Sequence, residues 1–261
     1  MKRITLFLCA LSLTFIASAQ QRNVKISLLE TSDVHGNYLP YDFINGKAGK
    51  GSLARIYTYV KQLRQTHGND HVVLLDNGDI LQGQPTAYYY NYMDTTSKHL
   101  CAEMMNYMQY DVATIGNHDV ETGHAVYDRW VSQCNFPMLG ANVIETKTGK
   151  SYWKPYTIIE RQGVKIAVLG MITPGIPMWL PENLWSGLRF DDMLQVARKY
   201  MPEMRKNADV VVGLFHSGVG KDKGTPQGAE NASVAVAQQV PGFDVVFCGH
   251  DHRRALRKVV N

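Results

Sequence analysis

From residue 24 onward, short apolar runs alternate with longer segments whose apolar residues recur every three or four positions. Residues 24–31, 72–75, 112–115, 164–171, 210–215 and 245–248 read as strands, and 136–143 and 153–160 add two more around a turn at 147–150. Residues 51–66 carry Leu53, Ile56, Tyr57, Val60 and Leu63 at helical spacing. The clearest helix is 191–206, with Asp191 predicted as its N-cap and Leu194, Ala197, Met201 and Met204 on one face. Helices are also expected over 123–134 and 231–239. The Tyr- and Met-rich stretches 87–93 and 99–110 are expected to be helix core rather than a binding surface. Strands alternating with helices predict a layered α/β fold.

The residues that close the apolar runs change this picture. Run 112–115 ends at Gly116, and Asn117, His118 and Asp119 follow in a row. Polar groups packed at the mouth of a buried strand cost free energy unless something there uses them. A helix cap at Asn117 or Asp119 explains one such loop. It does not explain the other four, which carry Asp33 and His35, then Asp79, then His216, then His250 and His252. Functional groups collect at the carboxyl ends of strands in open α/β sheets. If the segment stays extended, Asp33 and His35 lie two apart and face one target.

Five of the nine histidines fall at these loops, so their placement carries a signal; His67, His71, His99 and His124 are read as surface or packing residues. Mixed imidazole and carboxylate groups suit first-row divalent ions better than calcium. Seven candidate ligands (Asp33, His35, Asp79, Asn117, His216, His250 and His252) are too many for one tetrahedral ion. They suit two ions sharing a bridging carboxylate, an arrangement that fits in-line displacement at phosphorus.

The N-terminus bears on location rather than fold. Lys2 and Arg3 precede a mostly apolar stretch, 4–16, and Ala17-Ser18-Ala19 has the small-x-small form of a cleavage site. The apolar stretch falls short of the roughly 20 residues of a spanning helix. A signal peptide over 1–19 is therefore expected, with a periplasmic or secreted product and no membrane partner. Losing Lys2 and Arg3 takes the formal net charge from +4 to +2, which argues against a broad nucleic-acid-binding surface. Arg253, Arg254, Arg257 and Lys258 are read as a solvated edge. Cys101, Cys134 and Cys248 remain, an odd number that cannot all pair within one chain. Cys248 is expected as a buried thiol, and pairing of Cys101 with Cys134 is left open.

The words DVH at 33–35, GD at 78–79, GNHD at 116–119, FHSG at 215–218 and GHDH at 249–252 resemble the five motifs of the calcineurin-like metallophosphoesterases. VVLLDNGDILQGQP, FPMLGANVI, RKYMPEMRKNADVVV and HSG are similar to the secreted 5′-nucleotidase group, especially its bacterial 2′,3′-cyclic-nucleotide 2′-phosphodiesterase/3′-nucleotidases. The resemblance implies a four-layer αββα sandwich with two central mixed sheets flanked by helices, over 20–261. It implies a first metal held by Asp33, His35 and His252, a second held by Asn117, His216 and His250, and Asp79 bridging. Mn, Zn, Co, Fe or Mg would serve as the two ions.

By the same resemblance, His118 is catalytic rather than a ligand, facing the leaving oxygen or a phosphoryl oxygen. A carboxylate three residues later orients it; here that is Glu121, where the better-known pattern has Asp or a polar amide. Asp119 is the alternative orienter or a helix cap, and Asp251 is read as an outlying residue. The implied reaction is attack of metal-bound hydroxide on a nucleotide phosphomonoester or 2′,3′-cyclic nucleotide. The alternatives are a 5′-nucleotidase or UDP-sugar hydrolase, and a non-catalytic metal-binding subunit with a partner chain. Family members continue into closing strands and a domain that holds the nucleoside base, which nine residues after His252 cannot supply. Base recognition is thus expected from a separate C-terminal domain or chain, and Trp153, Trp179 and Trp185 are expected to pack rather than line a pocket. Because ligand histidines must be neutral, activity is expected to fall below about pH 6.

Overall fold

The computed structural model describes residues 23–221 and 225–260; the segment read as a signal peptide lies outside them. Two four-stranded sheets form its centre. The first runs β1 (Ser27–Thr31), β2 (Val72–Asp76), β3 (Val112–Thr114), β4 (Met138–Leu139), with every pairing parallel. The second contains β5 (Tyr156–Arg161), β6 (Val164–Ile172), β7 (Val210–His216) and β8 (Val245–Cys248), in the order β8-β7-β6-β5. It is mixed: β5 and β6 are an antiparallel hairpin, and the other pairings are parallel.

Period-two alternation along the strands divides the core into layers. Val73 and Leu75 of β2 meet Ile166 and Val168 of β6 and Val212 and Leu214 of β7 in the seam between the sheets. The alternate residues face outward. Leu74, Ala113 and Met138 pack under α1 (Leu53–His67), α2 (Leu100–Met108) and α3 (His124–Gln133), where Trp130 is fully buried. Ala167, Leu169, Met171, Val211 and Phe215 pack under α4 (Met193–Asn207) and α5 (Ser233–Gln239). The result is the helix–sheet–sheet–helix layering expected, with one sheet parallel throughout.

Local departures from the sequence pattern have physical causes. The 136–143 run is not one strand: it breaks into β4 and a separate short strand, Val143–Glu145, which pairs antiparallel with Leu188–Phe190. At α4 the cap is Asp192, whose Oδ1 accepts from Gln195 N at 2.9 Å. Asp191 instead pairs with Arg189 at 2.7 Å. The buried face of α4 is the expected one, including Leu194, Ala197, Met201 and Met204. In 87–93 the core expectation fails: a short helix (Pro85–Tyr88) runs into one π-turn (Tyr89–Met93), and Tyr88, Tyr89, Tyr92 and Met93 are exposed. Segment 99–110 does bury Met105, Met108 and Tyr110. The three cysteines among the described residues are free thiols, Cys101 buried and Cys134 and Cys248 only half-buried. Among the described residues, no helix is long and apolar enough to cross a membrane.

Candidate metal centre

The loops leaving β1, β2, β3, β7 and β8 lie together at one end of the paired sheets. Loop 33–36 is stitched to loop 78–80 by main-chain bonds, with Asp33 N, His35 N and Gly36 N donating to the carbonyls of Gly78, Asp79 and Ile80 at 3.0, 2.9 and 3.1 Å. Loop 78–80 also rests on the loop after β3. A Cβ at Gly78 would meet Gly116 N at 2.4 Å, so only glycine permits this approach.

Asp119 fixes that junction. Its buried carboxylate accepts from the backbone N–H groups of Asp79, Ile80, Leu81 and Gly116 at 2.8 to 2.9 Å. Burial, then the nearby Asp79 carboxylate, pushes its pKa up, and the donated N–H bonds oppose this. Asp119 therefore touches the backbone beneath the cluster and makes no bond to the His118 ring.

Two groups of side chains converge. In the first, Asp33, His35 and His252 bring ligand atoms within 4.8 Å of one another. His35 Nε2 and His252 Nε2 are 3.1 Å apart, and His252 Nε2 is 3.4 Å from Asp33 Oδ1. In the second, Asp79, His216 and His250 do the same. His216 Nε2 is 3.1 Å from Asp79 Oδ2 and 3.0 Å from Asn117 Oδ1, and His250 Nδ1 is 2.8 Å from that same oxygen. The groups adjoin: His250 N donates to both Asp33 oxygens at 3.1 Å. Lone pairs of carboxylate, carboxamide and imidazole aimed at common points repel one another unless a cation or proton lies between them. The donor set fits divalent metals.

Asp33 and His35 converge by a route other than the expected extended segment. Asp33, His35, Asp79, His250 and His252 all have φ between 48° and 74°, the left-handed region. Among the described residues only two other non-glycine residues, Gln109 and Gln162, do so. Each such residue costs about 1 kcal/mol or more, and such strain gathers at functional sites.

His118 stands beside both groups without joining either. Its main-chain N donates to Asp79 Oδ1 at 2.7 Å, and its ring packs edge-on to His35 with centroids 5.4 Å apart. Its Nδ1 is bonded to Glu121 Oε2 at 2.5 Å, which leaves Nε2 as its outward nitrogen. Burial alone would push the fully enclosed His216 imidazole down. The adjacent Asp79 carboxylate reverses this and holds it up at about 9. Asp79 is in turn held down at about 2 by His216, against its own burial.

A profile of the calcineurin-like phosphoesterases matches residues 26–254. The chain belongs to that family. It is 35% identical to a 2′,3′-cyclic-nucleotide 2′-phosphodiesterase/3′-nucleotidase of Yersinia enterocolitica, over 90% of this chain and 38% of that protein. It is 30% identical to a 5′-nucleotidase of Vibrio cholerae, over 90% of this chain and 42% of the relative. The crystal structure of the calcineurin-like phosphoesterase YfkN from Bacillus subtilis superposes with a TM-score of 0.80 at 31% identity, over 88% of this chain and 73% of that one. The chain thus spans about two fifths of the length of the first and second of these relatives.

Two features of this family member lie outside the motif words. Glu230 Oε1 is 2.8 Å from His250 Nε2, the nitrogen facing away from Asn117. No spacing rule reaches it, because it comes from the long loop before α5. Trp179 lies stacked on the His250 ring, centroids 5.5 Å apart and planes 25° apart, and is 41% exposed. Packing was the expected use of Trp153, Trp179 and Trp185. Trp153 and Trp185 do pack on the core beside α3, while Trp179 borders the site. Asp251, read as outlying, accepts from Val219 N and Arg253 N and ties two loops together.

Proposed function

We propose that the chain is the catalytic part of a secreted two-metal phosphoesterase acting on nucleotide phosphomonoesters, 2′,3′-cyclic nucleotides, or both. The observation that carries this is the convergence of two ligand groups with a non-ligand imidazole beside them. The names of the relatives support the nucleotide class, and the cleavable N-terminal pattern supports secretion.

Asp33, His35 and His252 would hold one ion, Asn117, His216 and His250 the other, and Asp79 would be shared. Two bound divalent ions would supply Lewis-acid polarisation of the phosphoryl oxygens and a nucleophile from water at neutral pH. The chain's own residues do the rest. Glu121 accepts a hydrogen bond from the Nδ1–H of His118 and favours the imidazolium, in which Nε2 also carries a proton that it can give to the leaving oxygen or donate in a hydrogen bond to a phosphoryl oxygen. A site that only bound metal would have no use for this pair, which favours catalysis over the metal-binding subunit reading.

The test is hydrolysis of bis-p-nitrophenyl phosphate by the purified chain, an ester that needs no base recognition. Chelation is expected to abolish turnover, and manganese, cobalt or zinc to restore it. Stoichiometric metal with no turnover between about pH 5 and pH 9 would overturn the catalytic reading. A panel of 2′,3′-cyclic, 3′- and 5′-nucleotides then ranks the substrates.

A further inference from the structure

Asn77 follows β2 directly and is fully buried at the end of the seam between the two central sheets. Its side-chain nitrogen donates to Glu30 Oε1 of β1 at 2.9 Å and to the Phe215 carbonyl of β7 at 3.0 Å. The second of these bonds crosses from one sheet to the other. The Phe215 carbonyl also accepts from Gly249 N at 3.2 Å. The residues immediately before His216 and His250 therefore meet at one oxygen, which the Asn77 amide holds. The Asn77 backbone completes the tie: its N–H donates to Thr31 O at 2.7 Å, and its carbonyl accepts from His216 Nδ1 at 2.6 Å. That last bond turns His216 Nε2 toward Asp79 and Asn117.

Packing does not explain an amide at this point. Elsewhere the sheets meet through apolar side chains such as Val73, Leu75, Val212 and Leu214. Asn77 instead carries Oδ1 into the interior, where that oxygen has no hydrogen-bond partner among the described residues. The acceptors at Glu30 and Phe215 need two donors, and only Nδ2 supplies them, so the amide cannot turn over to satisfy Oδ1. A buried acceptor without a partner destabilises the fold. What the amide adds is direction. Apolar contact leaves the offset between two sheets loosely defined, whereas a hydrogen bond fixes one atom against another.

That offset matters to the ligand cluster. Asp33, His35, Asp79 and Asn117 follow strands of the first sheet, while His216, His250 and His252 end or follow strands of the second. Each of the two ligand groups draws on both sheets. We propose that Asn77 is a positioning residue of the metal centre, its side chain setting the offset between the sheets and so the fit of both ligand groups, with Glu30 holding the amide in place. This rests on the two-metal reading above and adds two residues to it, neither of them a ligand.

The test is manganese titration of the chelator-stripped chain, free ion being followed by electron paramagnetic resonance. The parent chain is expected to take up two ions. Asn77→Leu should weaken uptake about 10- to 100-fold. The Tm of metal-free Asn77→Leu should stay within about 4 °C of the parent, because the change also removes the unpartnered oxygen. A merely structural role would do the reverse, lowering Tm with affinity unmoved. Glu30→Ala should weaken uptake about tenfold, and Glu30→Gln, which keeps an oxygen acceptor, should stay within about threefold of the parent. Glu30 is only partly buried, so this pair carries the test if Asn77→Leu fails to fold. Unchanged affinity in folded Asn77→Leu, or in Glu30→Ala where Asn77→Leu does not fold, would overturn the assignment and leave the two-metal reading standing. Uptake of a single ion by the parent, weakened in Asn77→Leu, would keep Asn77 as a positioning residue and sink the two-metal reading.

Discussion

Glu230 and His250 are joined by a 2.8 Å contact between the Glu230 carboxylate and the ring nitrogen that faces away from the ligand cluster. A carboxylate there takes the Nε2 proton and leaves the Nδ1 lone pair directed at Asn117 Oδ1, 2.8 Å away. Both the tautomer and the ring orientation are thereby set before any metal arrives. Glu230→Ala is expected to weaken metal binding about 10- to 100-fold in competition with a chelator, with Glu230→Gln intermediate. Affinity within about twofold of the parent chain would show that Glu230 does not orient His250.

In the proposed mechanism His118 and Glu121 handle protons rather than metal. His118→Ala should lower kcat about 10²-fold or more while the metal content stays unchanged. Glu121→Ala should lose less, because the imidazole remains and only its orientation is freed. Full activity in His118→Ala would remove the proposed proton donor.

The Asp79–His216 pair makes the metal-free protein sensitive to pH. His216 is raised to about 9, so its contribution to stability is complete below about pH 6.5 and is lost as pH rises through 9. Asp79 is lowered to about 2, so its contribution is complete above about pH 4 and is lost as pH falls through 2. The melting temperature of chelated protein should therefore decline between about pH 6.5 and pH 9, and His216→Asn should flatten that decline. A divalent ion must displace the same proton, so metal affinity should climb with pH up to about 9. Sequence alone placed this competition near pH 6, the range of an unperturbed imidazole; the buried carboxylate moves it upward. Affinity that is flat from about pH 6 to pH 9 would rule the pair out as the competing proton site.

Asp119 is the stability test. Asp119→Ala would strand four buried backbone donors, those of Asp79, Ile80, Leu81 and Gly116. The expected cost is on the order of 4 kcal/mol, or a fall of about 10 °C in Tm. A fall of about 2 °C or less would mean that water replaces the carboxylate.

Most of the layered fold was legible because burial leaves a period. Val73, Leu74 and Leu75 had to be apolar on both faces to separate a helix layer from the inter-sheet seam, and a short apolar run records that directly. Asp33, His35, Asp79, Asn117, His216, His250 and His252 were legible because each sits where such a run stops. Glu230 was not, since its contact with His250 is made in space, from a loop that carries no pattern. Tyr88 and Tyr92 were misread because aromatic content records only the potential to be buried, and nothing in a helical period distinguishes a covered ring from an open one. The shift from Asp191 to Asp192 as cap reflects two adjacent acids, between which only the phase of α4 decides.

The left-handed backbone at Asp33, His35, Asp79, His250 and His252 limits how this centre can be copied. Transplanting the same seven side chains onto straight strand ends of another scaffold would send five of their Cα–Cβ bonds in the wrong directions, however well the spacing were kept. A designer would have to import the loops whole, with Gly78 and Gly116 pressed together beneath them.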